Sequence, residues 1–486
     1  MNGEQDVEYS IIGETKLLDI AIIIIYFLGM IAIGIYAYRK KESSTQNGFF
    51  VANRRGSALF IVGSLCATII GASATVGMAG LGYKMGLPGA WWLLAGSLGL
   101  LILAFFFAHK VRGFGLYTLP ELLEKQYNSK AAGLVASILI AVSWLAIIAA
   151  QVIAAGKILS ILLPNVDTSI IMTISALVLT LYTFLGGQYS VIRTDLVQFG
   201  IIVVGVVVCL GFVLRDAGGI GGLHSSLPSD YFSFPINTKF TWPNLITLLI
   251  LTGSVYVVGP DMYSRLFCAR DEKVARKSAF SAALITIPIA FIIVLIGIGA
   301  KALFPEIATE QALPTVMKEV LPIGISGLVI AALLAAMMSS ADTCLITTST
   351  IFTADIYKRI FPNLSERKTL LVAKVAVLVI GALTLVVALR LNGIINSLLL
   401  AYTVFTSGVV LPVIAGFYKD KLKVNSIGVV AAIIGGGGTA LAIKQLLHKG
   451  PFDPMNLIGF GVCAVLLFGV SWISRAMINR REVNEF

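Results

Sequence analysis

Hydrophobic residues in this chain form long uninterrupted blocks instead of alternating with polar ones, and each block is long enough to cross a membrane as a helix. Thirteen blocks are read, over 17–38, 57–82, 90–108, 131–162, 169–185, 196–214, 244–266, 280–302, 324–353, 370–389, 394–417, 426–447 and 455–478. A helix satisfies its backbone hydrogen bonds internally, which a hydrocarbon environment demands. The pattern predicts an all-α integral membrane protein of about thirteen spans without a soluble domain. Its longest connections are 215–243 and 301–322. The first block is too long and begins too late for a signal peptide.

Composition supports the membrane reading. Of 486 residues, 57% are hydrophobic and only 13% charged, and mean hydropathy is +0.92, whereas soluble domains carry about 25% charged residues. The net charge of +11 would suit a nucleic-acid partner, but the basic residues are sorted in a way such binding does not require. Alternate connections hold Arg39, Lys40, Lys41, Arg54 and Arg55, then Lys110, Arg112, Lys125 and Lys130, then Arg193, then Arg265, Arg270, Lys273, Arg276 and Lys277. The series continues through Lys358, Arg359, Arg367 and Lys368, then Lys419, Lys421 and Lys423, and ends at Arg475, Arg480 and Arg481. Basic connections face the cytoplasm. The expectation is a multi-pass protein of the cell membrane with its N-terminus outside and its C-terminus cytoplasmic, which requires an odd number of spans. Its expected surroundings are membrane lipid, with no nucleic acid.

The cysteines (Cys66, Cys209, Cys268, Cys344, Cys463) are scattered singly and read as apolar packing residues. His109, His224 and His448 offer no zinc-ligand spacing. A membrane enzyme would need a nucleophile with its base, or a metal cluster, at depth, and neither pattern is present.

Two blocks are interrupted. The second contains Ile70-Gly71-Ala72-Ser73-Ala74-Thr75, small and β-branched residues that weaken a helix in its middle. The seventh contains Gly259-Pro260-Asp261, where proline removes a backbone hydrogen bond and an acid follows. Either alone also reads as a packing kink. Together they lie five spans apart, so units of spans two to six and seven to eleven would be inverted copies. Interruptions at matching places in inverted halves are a pointer to a transport site.

On the ninth block, Ala336, Ser339, Ser340 and Thr343 share one helix face. Hydroxyls and carbonyls are the ligands a hard cation such as Na+ takes, although membrane hydroxyls also bond back to their own helix. Asp342 is an acid well inside an apolar run. Asp195, at the start of the sixth block, reads either as a cation ligand or as a helix cap or partner of Arg193. Asp355 reads as an interfacial helix-end residue.

Gly186-Gly187 followed by Thr194-Asp195 and Gln198, then Ser339-Ser340-Ala341-Asp342-Thr343 leading to Ser349-Thr350-Ile351-Phe352 and Asp355-Ile356-Tyr357, resemble the sodium:solute symporter family from about Phe49 to Phe417. The resemblance implies a LeuT-type fold of two inverted five-helix repeats. The expected division is a leading helix and loop over 1–56, repeats over 57–214 and 244–417 separated by an extracellular loop at 215–243, and two trailing helices over 418–486. It also implies a sodium site formed by the carbonyls of Ala67, Ile70 and Ala336 and the hydroxyls of Ser339 and Ser340. A second cation position is implied at Asp195, Ser339, Asp342 and Thr343, where the acid at 342 departs from the family's serine-rich version and would take a cation or a proton.

Ser73, Thr75, Gln151, Tyr256, Gly259 and Asp261 are the candidates for binding a small organic solute. The pattern around Gly259 resembles carriers of proline or carboxylates more than sugar carriers, and Asp261 reads either as facing a solute ammonium or as pairing with Arg265. The expected function is Na+-coupled symport by alternating access, with no covalent chemistry. Proton coupling and a transporter-like solute sensor are the alternatives.

Overall fold

The computed structural model describes residues 2–39, 45–391, 393–447, 450 and 452–484. Lys40, Lys41 and His448, noted above for charge and chemistry, lie outside the described residues. The helices that matter for function are α1 (Asn2–Tyr38), α2 (Ala58–Ile69), α3 (Met78–Met85), α4 (Trp91–Ile102), α5 (Lys130–Leu159), α6 (Thr168–Asp216), α7 (Ser254–Val258), α8 (Pro260–Cys268), α9 (Glu272–Leu303), α10 (Ile325–Ile351), α11 (Glu366–Ala388) and α12 (Ile394–Phe405). A trailing pair, α13 (Ser426–Leu447) and α14 (Ile458–Asn484), packs together.

Among the described residues, eleven helices are long and apolar enough to cross a membrane, or twelve if the bent pair Ala58–Ile69 and Ser73–Met85 is one span. The span expected at 169–185 is a shorter apolar helix, Thr168–Leu181. It runs on into α6, whose 49 residues would reach about 73 Å, more than twice the thickness of a hydrocarbon core. Gly187, at φ 58° and ψ 179°, breaks that length, a conformation open to a residue without a Cβ. Thirteen crossings are therefore a count that helix length and hydropathy alone do not reach. The structure also corrects the start of the sixth span. The chain is helical again after Gly187, so Asp195 lies within α6 and is not its cap.

Both expected interruptions are breaks in the structure. The second span bends by 60° between α2 and the π-helical turn Ser73–Gly77 that leads into α3. The seventh stops at Val258 and restarts at Pro260, with Gly259 extended between them at ψ 135°. Proline at the first helical position costs nothing, because its missing N–H would have had no partner there.

From Val329 to Ile351 every residue of α10 is buried, with α1, α2, α5, α6, α8 and α11 packed around it. The start of this central helix is capped from another element: Asp19 Oδ1, on α1, accepts the N–H groups of Gly324 at 2.9 Å and Gly327 at 2.8 Å. At the far end of α8, Gly56 N–H donates to the Cys268 carbonyl at 2.9 Å and Arg270 N–H to the Gly56 carbonyl at 3.0 Å, tying the entry of α2 to the exit of α8. At the opposite end, Glu310 pairs with Lys157 of α5 and accepts the Ile394 N–H of α12 at 3.1 Å.

Candidate cation and solute sites

The last carbonyls of a helix have no partner in their own helix, and the bend leaves those of α2 inside the protein. Ser339 Oγ on α10 donates to the Ala67 carbonyl at 2.9 Å and lies 3.1 Å from the Ala336 carbonyl. Ser340 Oγ donates to the Thr68 carbonyl at 2.6 Å. Ile70 is the first non-helical residue, and its own N–H still bonds to the Cys66 carbonyl. Three of the five oxygens expected to bind sodium, from Ala67, Ala336 and Ser339, thus converge in pairs near 3 Å. Ser340 on α10 meets the neighbouring Thr68 carbonyl, and Ile70 ends α2 at the break. A Cβ at Gly71 would fall against Ser340 Oγ and 3.0 Å from Gln151 Oε1, so glycine is what admits both side chains.

The residues expected to form a second cation position are divided. Asp195 and Thr343 are together, but a guanidinium lies between them: Arg265 is fully buried, its Nη2 is 3.1 Å from Asp195 Oδ2, and it also donates to Thr343 Oγ1. Ser64 donates to the same carboxylate oxygen. Asp342 instead accepts the Thr183 hydroxyl of α6. Three expectations are corrected here. Arg265 is neither a cationic residue of a connecting loop nor the partner of Asp261, and Arg193 does not pair with Asp195; its guanidinium donates to the Tyr189 carbonyl and lies over the Tyr189 ring. Asp355 is buried, at 4% exposure, within the π-helical turn Phe352–Tyr357 that follows α10.

The solute candidates fall into two groups. Gln151 reaches from α5 to the break in the second span, where its Oε1 accepts the Ala72 N–H at 2.9 Å. Ser73 is buried next to it in sequence, while Thr75 returns its hydroxyl to the Gly71 carbonyl at 2.9 Å. The other group surrounds the break in the seventh span. The Tyr256 ring packs on Gly96 of α4, and its hydroxyl meets that of Tyr402 on α12. Beyond Gly259, Asp261 lies in the first turn of α8 with Oδ1 buried and unpartnered.

A family model described as "Sodium:solute symporter family" matches residues 49–436, most of the chain. The chain belongs to the sodium:solute symporter family. Within it, sodium/glucose cotransporter 4 of Danio rerio is 27% identical over 407 residues, covering 76% of this chain and 62% of that protein. Sodium/myo-inositol cotransporter 2 of Oryctolagus cuniculus is 26% identical over 401 residues, covering 74% and 60%. The chain thus spans about three fifths of the length of these relatives. A sodium-coupled sialic acid symporter, solved substrate-bound and outward-open with a novel Na+ site, superposes with a TM-score of 0.79 at 21% identity, over 94% of this chain and 97% of that one. MhsT in complex with L-phenylalanine superposes with a TM-score of 0.55 at 14% identity, over 86% and 99%. The LeuT-type fold is thereby shown.

For this symporter-family chain, sequence reasoning missed three partners. Asp19 carried a signal, being an acid two residues into the first apolar block. Ser64 and Thr183 carried none, since lone hydroxyls in membrane helices are common.

Proposed function

We propose that this protein is a secondary active transporter that couples Na+ entry to uptake of a small organic solute. The observation that carries the reading is the convergence of Ser339 Oγ with the carbonyls of Ala67 and Ala336 at the break of the second span. Neutral oxygens at that spacing suit one small monovalent cation, whose charge they stabilise without a carboxylate. Ser340 Oγ and the Ile70 carbonyl complete the set when the Ser340 hydroxyl rotates away from Thr68. Binding there joins α10 to α2 and favours one arrangement of the two repeats, 57–214 and 244–417. Rocking of one against the other then exposes the site on alternate sides of the cell membrane. The sorted basic residues support an N-terminus outside and a cytoplasmic C-terminus.

The solute in this reading is an amino acid such as proline. The buried, unpartnered Oδ1 of Asp261 suits an ammonium group, while the polar end of Gln151 lies at the other break. Purified protein in proteoliposomes is expected to take up labelled proline only with an inward sodium gradient. Ser340→Ala is expected to lower sodium affinity about tenfold, roughly 1.4 kcal/mol, with the fold intact. Equal sodium dependence in variant and wild type would overturn the site. Gradient-driven uptake of glucose, myo-inositol or sialic acid in place of proline would overturn the solute and leave the coupling.

A further inference from the structure

The start of α9 carries a cluster of positive charge far from the cation and solute sites. Lys273, Arg276, Lys277 and Phe280 recur three and four positions apart, so they stand on one helix face, and all four are exposed. Together with Ala104 and Phe105, in the π-helical turn Leu103–Phe107 that follows α4, they enclose an open cavity of about 400 Å³. The nearest acids are engaged elsewhere. Asp271 pairs with Arg270 at 3.2 Å and caps α9, and Glu272 turns to Gly113, its Oε1 2.8 Å from where a Cβ would stand. Among the described residues none of the three cations makes an ion pair. Arg276 instead lies 6.0 Å over the Phe105 ring, and Phe105 meets Phe280 edge to face at 5.7 Å. One turn further from the charged end, exposed Ile102 on α4 and Leu284 on α9 carry the same faces into the apolar span, where the two helices pack along each other.

We propose that this cavity binds an anionic phospholipid, with its phosphate on Lys273, Arg276 and Lys277 and one acyl chain along Phe105, Phe280 and Leu284. Like charges three and four positions apart on a helix repel one another, and a bound phosphate relieves that repulsion. Arginine offers phosphate oxygens two parallel N–H groups, and the lysines add point charges. Charge complementarity selects the headgroup, because a zwitterionic lipid brings a cation of its own into the same field. The cavity also has the polarity of a phospholipid, charged at the helix start and apolar toward the middle of the span Glu272–Leu303. A soluble anion would meet the cations and leave the exposed rings in water. Basic pockets between membrane helices on the cytoplasmic side collect anionic headgroups, and the sorted charges put this connection on that side. The inference needs α9 to be a membrane span and is independent of the sodium and solute sites.

Native mass spectrometry of the purified, delipidated chain, titrated with phosphatidylglycerol or with phosphatidylcholine of the same acyl chains, tests this. Wild type is expected to hold one phosphatidylglycerol about tenfold more tightly than phosphatidylcholine. A cation at a membrane surface is worth about fivefold in affinity for an anionic lipid, so Arg276→Gln with Lys277→Gln is expected to weaken phosphatidylglycerol binding about 25-fold and to leave phosphatidylcholine unchanged. Arg276→Lys with Lys277→Arg, which keeps the charge, is expected to keep the preference. Lys419→Gln with Lys421→Gln, on another basic connection, is expected to change nothing. Equal affinity of wild type for the two lipids would overturn the proposal without any variant, and so would an undiminished preference in the folded double glutamine variant. Displacement of the lipid by inorganic phosphate would show a soluble-anion site, and a dimer lost in that variant would show a second copy on this face; either result overturns the lipid.

Discussion

Gly71 carries more of the candidate site than any charged residue, because its missing Cβ lets Ser340 and Gln151 approach the break from two helices at once. Gly71→Ala is expected to abolish saturable sodium binding. It should also destabilise the protein by about 1–3 kcal/mol through overpacking, read as a lowered midpoint of thermal unfolding. Chain order showed that Ser339 and Ser340 share a face with Ala336, since helix periodicity is local. It left open which carbonyl each hydroxyl would meet, because the bend at Ile70 decides how far α2 presents its last carbonyls. Arg265 shows the same limit more sharply. Sequence proximity pointed to Asp261, four positions away, and packing chose Asp195, seventy positions away.

At the scale of elements, the starts of α9 and α10 are set by acids. Asp19 on α1 caps α10 from outside its own helix. Asp19→Ala is expected to cost about 1 kcal/mol, the ordinary worth of a cap, while sodium affinity is unchanged; thermal unfolding and sodium titration read the two separately. Asp271 caps α9, accepting the Val274 N–H at 2.7 Å. That backbone bond holds its carboxyl below the usual carboxylate range. A depressed folded pKa contributes stability above the unfolded value and loses it as pH falls through the folded one. The stability gap between wild type and Asp271→Ala should therefore be full near neutral pH and close in acid below the ordinary carboxylate range, as measured by unfolding midpoints across pH. The breaks themselves were legible, because glycine and proline act on the backbone locally. The helix that resumes directly after Gly187 and carries Asp195 was not, since a kink at one glycine replaces the loop expected there.

For the whole molecule, the sorted charges predict which connections share a side. All five cysteines are buried, so introduced ones report their own position. An impermeant maleimide applied to intact cells is expected to label Ser229→Cys, and to label Lys273→Cys only after permeabilisation; the reverse pattern would invert the topology. The sequence by itself determined that the chain is a bundle of apolar helices, where two of them break, and which family it joins. These follow from hydropathy and backbone chemistry, which act over one or two helical turns. Only the tertiary structure decided that Arg265 neutralises Asp195 and that Asp342 turns to Thr183. Pairing among buried polar groups depends on which faces meet, and those faces come from helices far apart in the chain.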